Sequence, residues 1–208
     1  MSLVIDLKNI SKRYNKQWIF KDISFTFNGP AAYVIKGQNG SGKTTLLQLI
    51  SGNLQQSKGE ISYNINGENI FIEDVFNYVS YASPYIELYE EYTLIETINF
   101  QASFKPFKNN LSTQEIITIL NLENAQDKTL KQFSTGMKQR VKLALAILCD
   151  APILLLDEPT SNLDKNIIKW YQQLIKDYTK DKLVIVCSND NQEEYYFCTQ
   201  EINIEDYR

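Results

Sequence analysis

The chain has 208 residues, 43% hydrophobic and 22% charged, with a net charge of -4 and no histidine. That balance fits one globular domain with a full core. The negative charge counts against a nucleic-acid partner held by a broad basic surface.

The opening stretch MSLVIDLKNI has neither the basic region nor the apolar run of a signal peptide. Residues 3–10 and 18–27 alternate apolar and polar positions, which predicts strands with one solvated face. Ala31 to Ile35 predicts a short apolar strand running into a Gly-rich loop and a helix from Lys43 to Ser51, stopped at Gly52. Residues 59–65 predict a strand followed by the turn pair Asn66-Gly67, and Phe76 to Val79 another strand. Thr93 with Glu96 and Ser112 with Glu115 have capping-box spacing ahead of apolar helical stretches. They place a mainly helical insert at about 85–135. A helix at Thr135 to Leu148, a strand at 153–157, a helix at 164–180 and a strand at 183–187 follow. Alternating strand and helix in this last third predicts a parallel sheet, and the β-rich start an antiparallel layer beside it.

The longest apolar runs, such as Ile153 to Leu156, fall far short of the ~20 residues that span a bilayer, so any membrane role must pass through a partner. Cys149, Cys187 and Cys198 form neither a disulfide framework nor a zinc pattern, which predicts reduced thiols in an intracellular protein.

Two segments carry chemistry. GQNGSGKTT, Gly37 to Thr45, matches G-x-x-x-x-G-K-[ST] after a predicted strand and before a helix. Gly37, Gly40 and Gly42 permit backbone conformations that a Cβ would block. The N–H groups of Gln38, Asn39, Ser41 and their neighbours can then form an anion nest at a helix amino end. Lys43 would reach the β- and γ-phosphates, and Thr44 would set its hydroxyl on Mg²⁺. ILLLDEP, Ile153 to Pro159, is a buried strand ending in two carboxylates. Asp157 would hold Mg²⁺, and Glu158 would polarise a water in line with the γ-phosphate.

Other stretches extend this to a family. FSTGMKQRVKLALAIL, Phe133 to Leu148, resembles the signature of the ABC-type ATPases and its helix. DEPTSNLD, Asp157 to Asp164, resembles the same family's Walker-B glutamate and D-loop. The resemblance runs from LKNISKRY to the last strand. It implies a single nucleotide-binding domain over residues 1–208, with a RecA-like P-loop core of mainly parallel sheet, an antiparallel β subdomain and a helical signature subdomain. It also implies ATP and Mg²⁺ as cofactors and a head-to-tail pair of such domains, homodimer or heterodimer. In that pair Ser134 and Gly136 would contact the partner's γ-phosphate. By the same match Tyr14 would stack on adenine, although a surface tyrosine has the same local chemistry. Asp164 would face the partner, cap the next helix, or both.

Two positions depart from the family. Pro84 stands where the family has a glutamine that touches Mg²⁺ and couples to the membrane partner. Proline offers neither an amide nor a backbone N–H, so Ser83 or a water would have to fill the gap. Asn189, in VIVCSNDN, stands where the family has a histidine on the γ-phosphate. An asparagine amide can donate to a phosphate oxygen but cannot titrate near neutrality. Ser188 is expected to support that loop and Asp190 to start the next helix.

The leading expectation is an ATP-hydrolysing subunit on the inner, cytoplasmic face of the membrane, powering a transporter whose permease is a separate chain. The alternative is a slowly hydrolysing, nucleotide-gated binding module. Soluble family members that act on ribosomes or DNA usually carry two such domains or a long coiled coil, and this chain has neither.

Overall fold

A computed structural model describes residues 2–161 and 163–208; Asn162, within DEPTSNLD, lies outside the described residues. Two sheets share the molecule. The first is antiparallel: β1 (Leu3–Tyr14), β2 (Gln17–Gly29), β4 (Lys58–Ile65) and β5 (Glu68–Ile70), in the order β2-β1-β4-β5. Its last hairpin turns at Asn66-Gly67, both at positive φ (53° and 89°), as the Asn-Gly pair predicts.

The second sheet is parallel and takes β3 (Ala31–Lys36), β6 (Val79–Ala82), β7 (Ile153–Asp157), β8 (Leu183–Ser188) and β9 (Gln200–Asn203), in the order β6-β7-β8-β3-β9. The strand expected at Phe76 to Val79 begins only at Val79. Ile72–Asn77 forms a 3-10 turn instead, with Phe76 in solvent. The short strand β9 was not expected: Gln200 to Asn203 carries one buried apolar residue, Ile202, too little for a periodic signal.

Strand alternation sorts side chains onto the two faces of this sheet. Ile153, Leu155, Leu183, Ile185 and Cys187 pack toward the antiparallel layer and α1 (Lys43–Ile50). Leu154, Leu156, Val184 and Val186 pack on the opposite face, against α4 (Thr135–Leu148) and α5 (Lys165–Tyr178). Asp157 continues the first set and so leaves the sheet on the side of α1.

The helical insert holds α2 (Leu94–Phe104) and α3 (Thr113–Leu120). Both capping boxes are complete. Glu96 N–H donates to Thr93 Oγ1 at 3.2 Å and Thr93 N–H to Glu96 at 2.8 Å. Glu115 N–H donates to Ser112 Oγ at 3.3 Å and Ser112 N–H to Glu115 at 2.8 Å. Asp164 caps α5 by accepting from Asn166 N–H (2.8 Å) and Ile167 N–H (3.0 Å). All three cysteines are free thiols. Among the described residues no helix is long and apolar enough to cross a membrane.

Candidate nucleotide site

The carboxyl ends of β3, β8 and β7 emerge side by side: Lys36 pairs with Ser188, and Cys187 with Asp157. In open α/β sheets this edge is where ligands bind. The loop after β3 turns into α1 at Gly42, whose φ of 104° lies in the left-handed region. A Cβ there would meet Ile19 Cγ2 at 2.6 Å, so sterics and backbone both require glycine. No side chain caps α1. Its first N–H groups, at Lys43, Thr44 and Thr45, therefore face an open cleft with the helix dipole behind them.

That cleft holds about 380 Å³ and is lined by Ile19, Asn39, Gly40, Gly42, Lys43, Thr44, Thr45, Tyr85 and Glu158. Lys43 is 4% exposed and donates to the carbonyls of Gly37 (2.8 Å) and Gln38 (3.2 Å), with Glu158 Oε1 3.6 Å away. The Gln38 N–H is held by Glu205 Oε1 at 3.0 Å, which ties the loop to the chain's last turn. Ser41 is 1% exposed, and its Oγ has no partner among the described residues.

Asp157 lies beneath the cleft. Its Oδ2 accepts from Thr44 Oγ1 at 2.8 Å and from Ser83 Oγ at 3.4 Å, while its buried Oδ1 has no partner among the described residues. Burial pushes its pKa above the usual carboxylate range; the Thr44 hydroxyl bond and the nearby Lys43 ammonium oppose that shift. A buried carboxylate oxygen without a donor, beside a threonine hydroxyl, is the donor set of a hard divalent cation, and a cation there would reverse the burial penalty. The residues thus fit Mg²⁺.

Glu158 is held at φ 44°, a left-handed conformation uncommon for a residue with a Cβ, by its N–H donating to Cys187 O at 2.9 Å. The bend turns Glu158 into the cleft while Asp157 stays on the sheet.

The remaining expected residues are distributed differently. Tyr14 is 47% exposed with Lys12 Nζ 5.1 Å from its ring, and is not among the residues lining the cleft. Ser134 caps α4, its Oγ accepting from Met137 N–H at 3.2 Å; neither it nor the half-buried Gly136 lines the cleft. Asn189 is exposed and likewise outside the lining. Ser188 does support its loop, its Oγ accepting from Asn191 N–H at 3.1 Å. Asp190 does not start α6 (Gln192–Tyr195). Asn191 caps it, and Asp190 sits at φ 79° accepting from the Tyr195 hydroxyl at 2.8 Å. A left-handed residue cannot serve as the extended cap, so the cap moves one position on.

At the departure from the family pattern, Ser83 reaches Asp157, Pro84 O accepts from Lys142 Nζ at 3.0 Å, and Tyr85 lines the cleft. Tyr85 and Ile19 went unnoticed in the sequence because neither belongs to a recognisable spacing. Each reaches the cleft through tertiary packing.

The ABC transporter family model matches residues 20–161. The uncharacterized ABC transporter ATP-binding protein YcbN of Bacillus subtilis (strain 168) is 29% identical over 88% of this chain, which spans 61% of that protein's length. The cytochrome c biogenesis ATP-binding export protein CcmA of Reclinomonas americana is 31% identical over 88% of this chain and 83% of its own. The solved structure of a putative ABC transporter ATP-binding protein from Pyrococcus furiosus superposes with a TM-score of 0.81 at 26% identity, covering 98% of each chain. The cleft carries the phosphate loop and paired carboxylates of a nucleotide-binding domain, and the chain belongs to the ABC transporter ATP-binding family.

Proposed function

We propose that this chain is the ATP-hydrolysing subunit of a transporter whose permease is a separate polypeptide. The observation that carries this is the convergence of Lys43, Thr44, Asp157 and Glu158 at one cleft, with Glu158 turned into it. The loop Gly37–Thr45 would cradle the phosphates through its N–H groups. Lys43 would exchange the Gly37 and Gln38 carbonyls for phosphate oxygens. Thr44 and Asp157 would hold Mg²⁺, whose charge would offset the triphosphate. Glu158 would accept the proton of a water aligned on the γ-phosphate. Asn189 would donate its amide to the γ-phosphate, and Tyr14 would stack on the base. Ser134 and Gly136, away from the cleft of their own chain, fit a role in trans, facing the ATP of a second copy or of a related chain.

A groove of about 320 Å³ between the parallel sheet and the insert supports a membrane partner. Its lining includes Phe76, Tyr81, Ile86, Leu88 and Lys142. Phe71, Tyr89 and Phe104 are exposed large aromatic residues of the same region and insert (75%, 63% and 70%). Such apolar surface fits docking of a permease, which would place the chain peripherally on the cytoplasmic face of the membrane.

Steady-state ATPase measurement with the permease present tests this reading. Glu158→Gln should lower kcat by about 100-fold or more with little change in ATP affinity. Wild-type turnover no faster than the mutant's would favour a nucleotide-gated binding module instead, a reading prompted by Pro84 and by an Asn189 that has no side-chain partner in the described structure.

A further inference from the structure

Glu194 lies outside every motif above and is 2% exposed. Among the described residues it is the carboxylate whose hydrogen bonds reach both the loop after β7 and the loop after β8. Its Oε1 accepts from Thr160 N–H at 3.2 Å and from Thr160 Oγ1 at 3.1 Å. Its Oε2 accepts from Ser188 Oγ at 2.5 Å. Thr160 is two residues past Glu158; Ser188 immediately precedes Asn189. Asn191 closes the ring, its Nδ2 donating to Thr160 Oγ1 at 3.1 Å. The Tyr171 hydroxyl holds the Glu194 backbone by donating to its carbonyl at 2.9 Å.

The chemistry is that of a staple. A buried carboxylate is costly unless its oxygens meet donors, and here three donors from two loops supply that need. Neither loop can withdraw alone without leaving part of a buried charge unpartnered, a loss larger than that of an ordinary surface hydrogen bond. Alternation along β8 explains the geometry. Cys187 points to the face of Asp157, so Ser188 points to the other face, where α6 brings Glu194 beneath it.

We propose that Glu194 is a positioning residue that locks the loop carrying Glu158 to the loop carrying Asn189, so that the two move as one unit. Its catalytic consequence rests on the roles proposed for those two residues; the mechanical link does not.

Two measurements test it on the full chain. In hydrogen exchange, Ser188→Ala should raise exchange in the segment after β7, and Thr160→Val in the segment after β8, by about 3–10-fold. Glu194→Gln should loosen both segments less than Glu194→Ala, because its carbonyl oxygen still accepts from Thr160. Exchange confined to each mutated loop would overturn the proposal, whatever the ATPase result. In turnover, Glu194→Ala should lower kcat by about 10-fold or more with KM and the affinity for a fluorescent ATP analogue within about threefold, and Glu194→Gln should recover part of the loss. Ser188→Ala and Thr160→Val together should cost less than the product of their separate effects. If Glu194→Ala does not fold, Glu194→Gln and the two loop variants carry the same test. Unchanged kcat in folded Glu194 variants, with Glu158→Gln inactive, would overturn the catalytic consequence alone. Glu158→Gln turning over like wild type would instead remove the proposed function.

Discussion

The helices of the insert and the helix of the phosphate loop begin in opposite ways. α2 and α3 each open on a capping box in which Thr93 or Ser112 and its partner glutamate satisfy the first N–H groups reciprocally. The same bonds hold Glu96 and Glu115 below the usual carboxylate pKa, through the Thr93 backbone N–H first in one case and the Ser112 hydroxyl first in the other. α1 opens on Gly42, which has no side chain with which to close the end. A capping box satisfies two of the N–H groups at its helix's amino end and so leaves fewer donors for an anion; a helix without such a cap presents the whole set of aligned donors. The difference is chemical specialisation written in one residue per helix.

The sharpest way to break that difference is Gly42→Ser, which gives α1 the residue type that caps α3. At φ 104° and with Ile19 2.6 Å from the new Cβ, the serine cannot adopt the extended cap conformation without displacing the loop. ATP-analogue affinity should fall by about 100-fold or more, roughly 3 kcal/mol, since both the nest and the Lys43 position are lost. A Gly42→Ser chain that binds the analogue like wild type would show that the open helix end is not the phosphate site.

This contrast was legible in the sequence, because capping boxes and phosphate loops are local: a few residues at fixed spacing decide them. The strands β7 and β8 were legible for the same reason, each a short apolar run with a polar end. What stayed hidden depends on which distant residue is brought near. Glu158 at φ 44° is set by the carbonyl of Cys187, 29 positions away. Tyr85 and Ile19, 66 positions apart in the chain, line the same cleft. The loop after β8 illustrates the limit most clearly. Its polar triplet was visible, and Ser188 was expected to support the loop, but the carboxylate beneath Ser188 and the shift of the cap to Asn191 belong to packing on the face opposite Asp157.

The carboxyl end of α4 is closed from the interior, by a buried cation. Lys182 is 3% exposed; its Nζ donates to Ile147 O at 3.0 Å and to Cys149 O at 2.5 Å. Burial lowers its pKa from 10.5 to about 8. Between those values the unfolded chain holds the proton more tightly than the folded one, so stability from this group rises with pH across the window about 8 to 10.5. The buried thiols act in the opposite sense, because burial raises their pKa values. The measurement is therefore the difference between wild type and Lys182→Met in urea unfolding. Wild type should gain on the mutant as pH is raised from 7.5 toward 10, by up to about 3 kcal/mol. A difference that stays flat would show that Lys182 keeps its ordinary basicity and closes the helix end at no cost in charge burial.

The smallest effects separate a cap that only stabilises from one that also signals. Thr93→Ala and Ser112→Ala should each lower unfolding stability by about 1 kcal/mol and leave nucleotide affinity unchanged, because neither Thr93 nor Ser112 lines the cleft. Ser134 caps α4 with the same geometry, accepting from Met137 N–H, yet it is also the residue proposed to meet a second copy's ATP. Ser134→Ala should show the same ~1 kcal/mol loss in urea and unchanged analogue binding by the single chain. Unlike the other two, it should also weaken nucleotide-dependent pairing of the chains, read by sedimentation-velocity ultracentrifugation in the Glu158→Gln background, where the proposed role of Glu158 predicts that ATP is retained. If all three variants pair like their parent, Ser134 is a cap of the same kind as Thr93 and Ser112, and the open end of α1 is the only helix start in this comparison that serves the nucleotide.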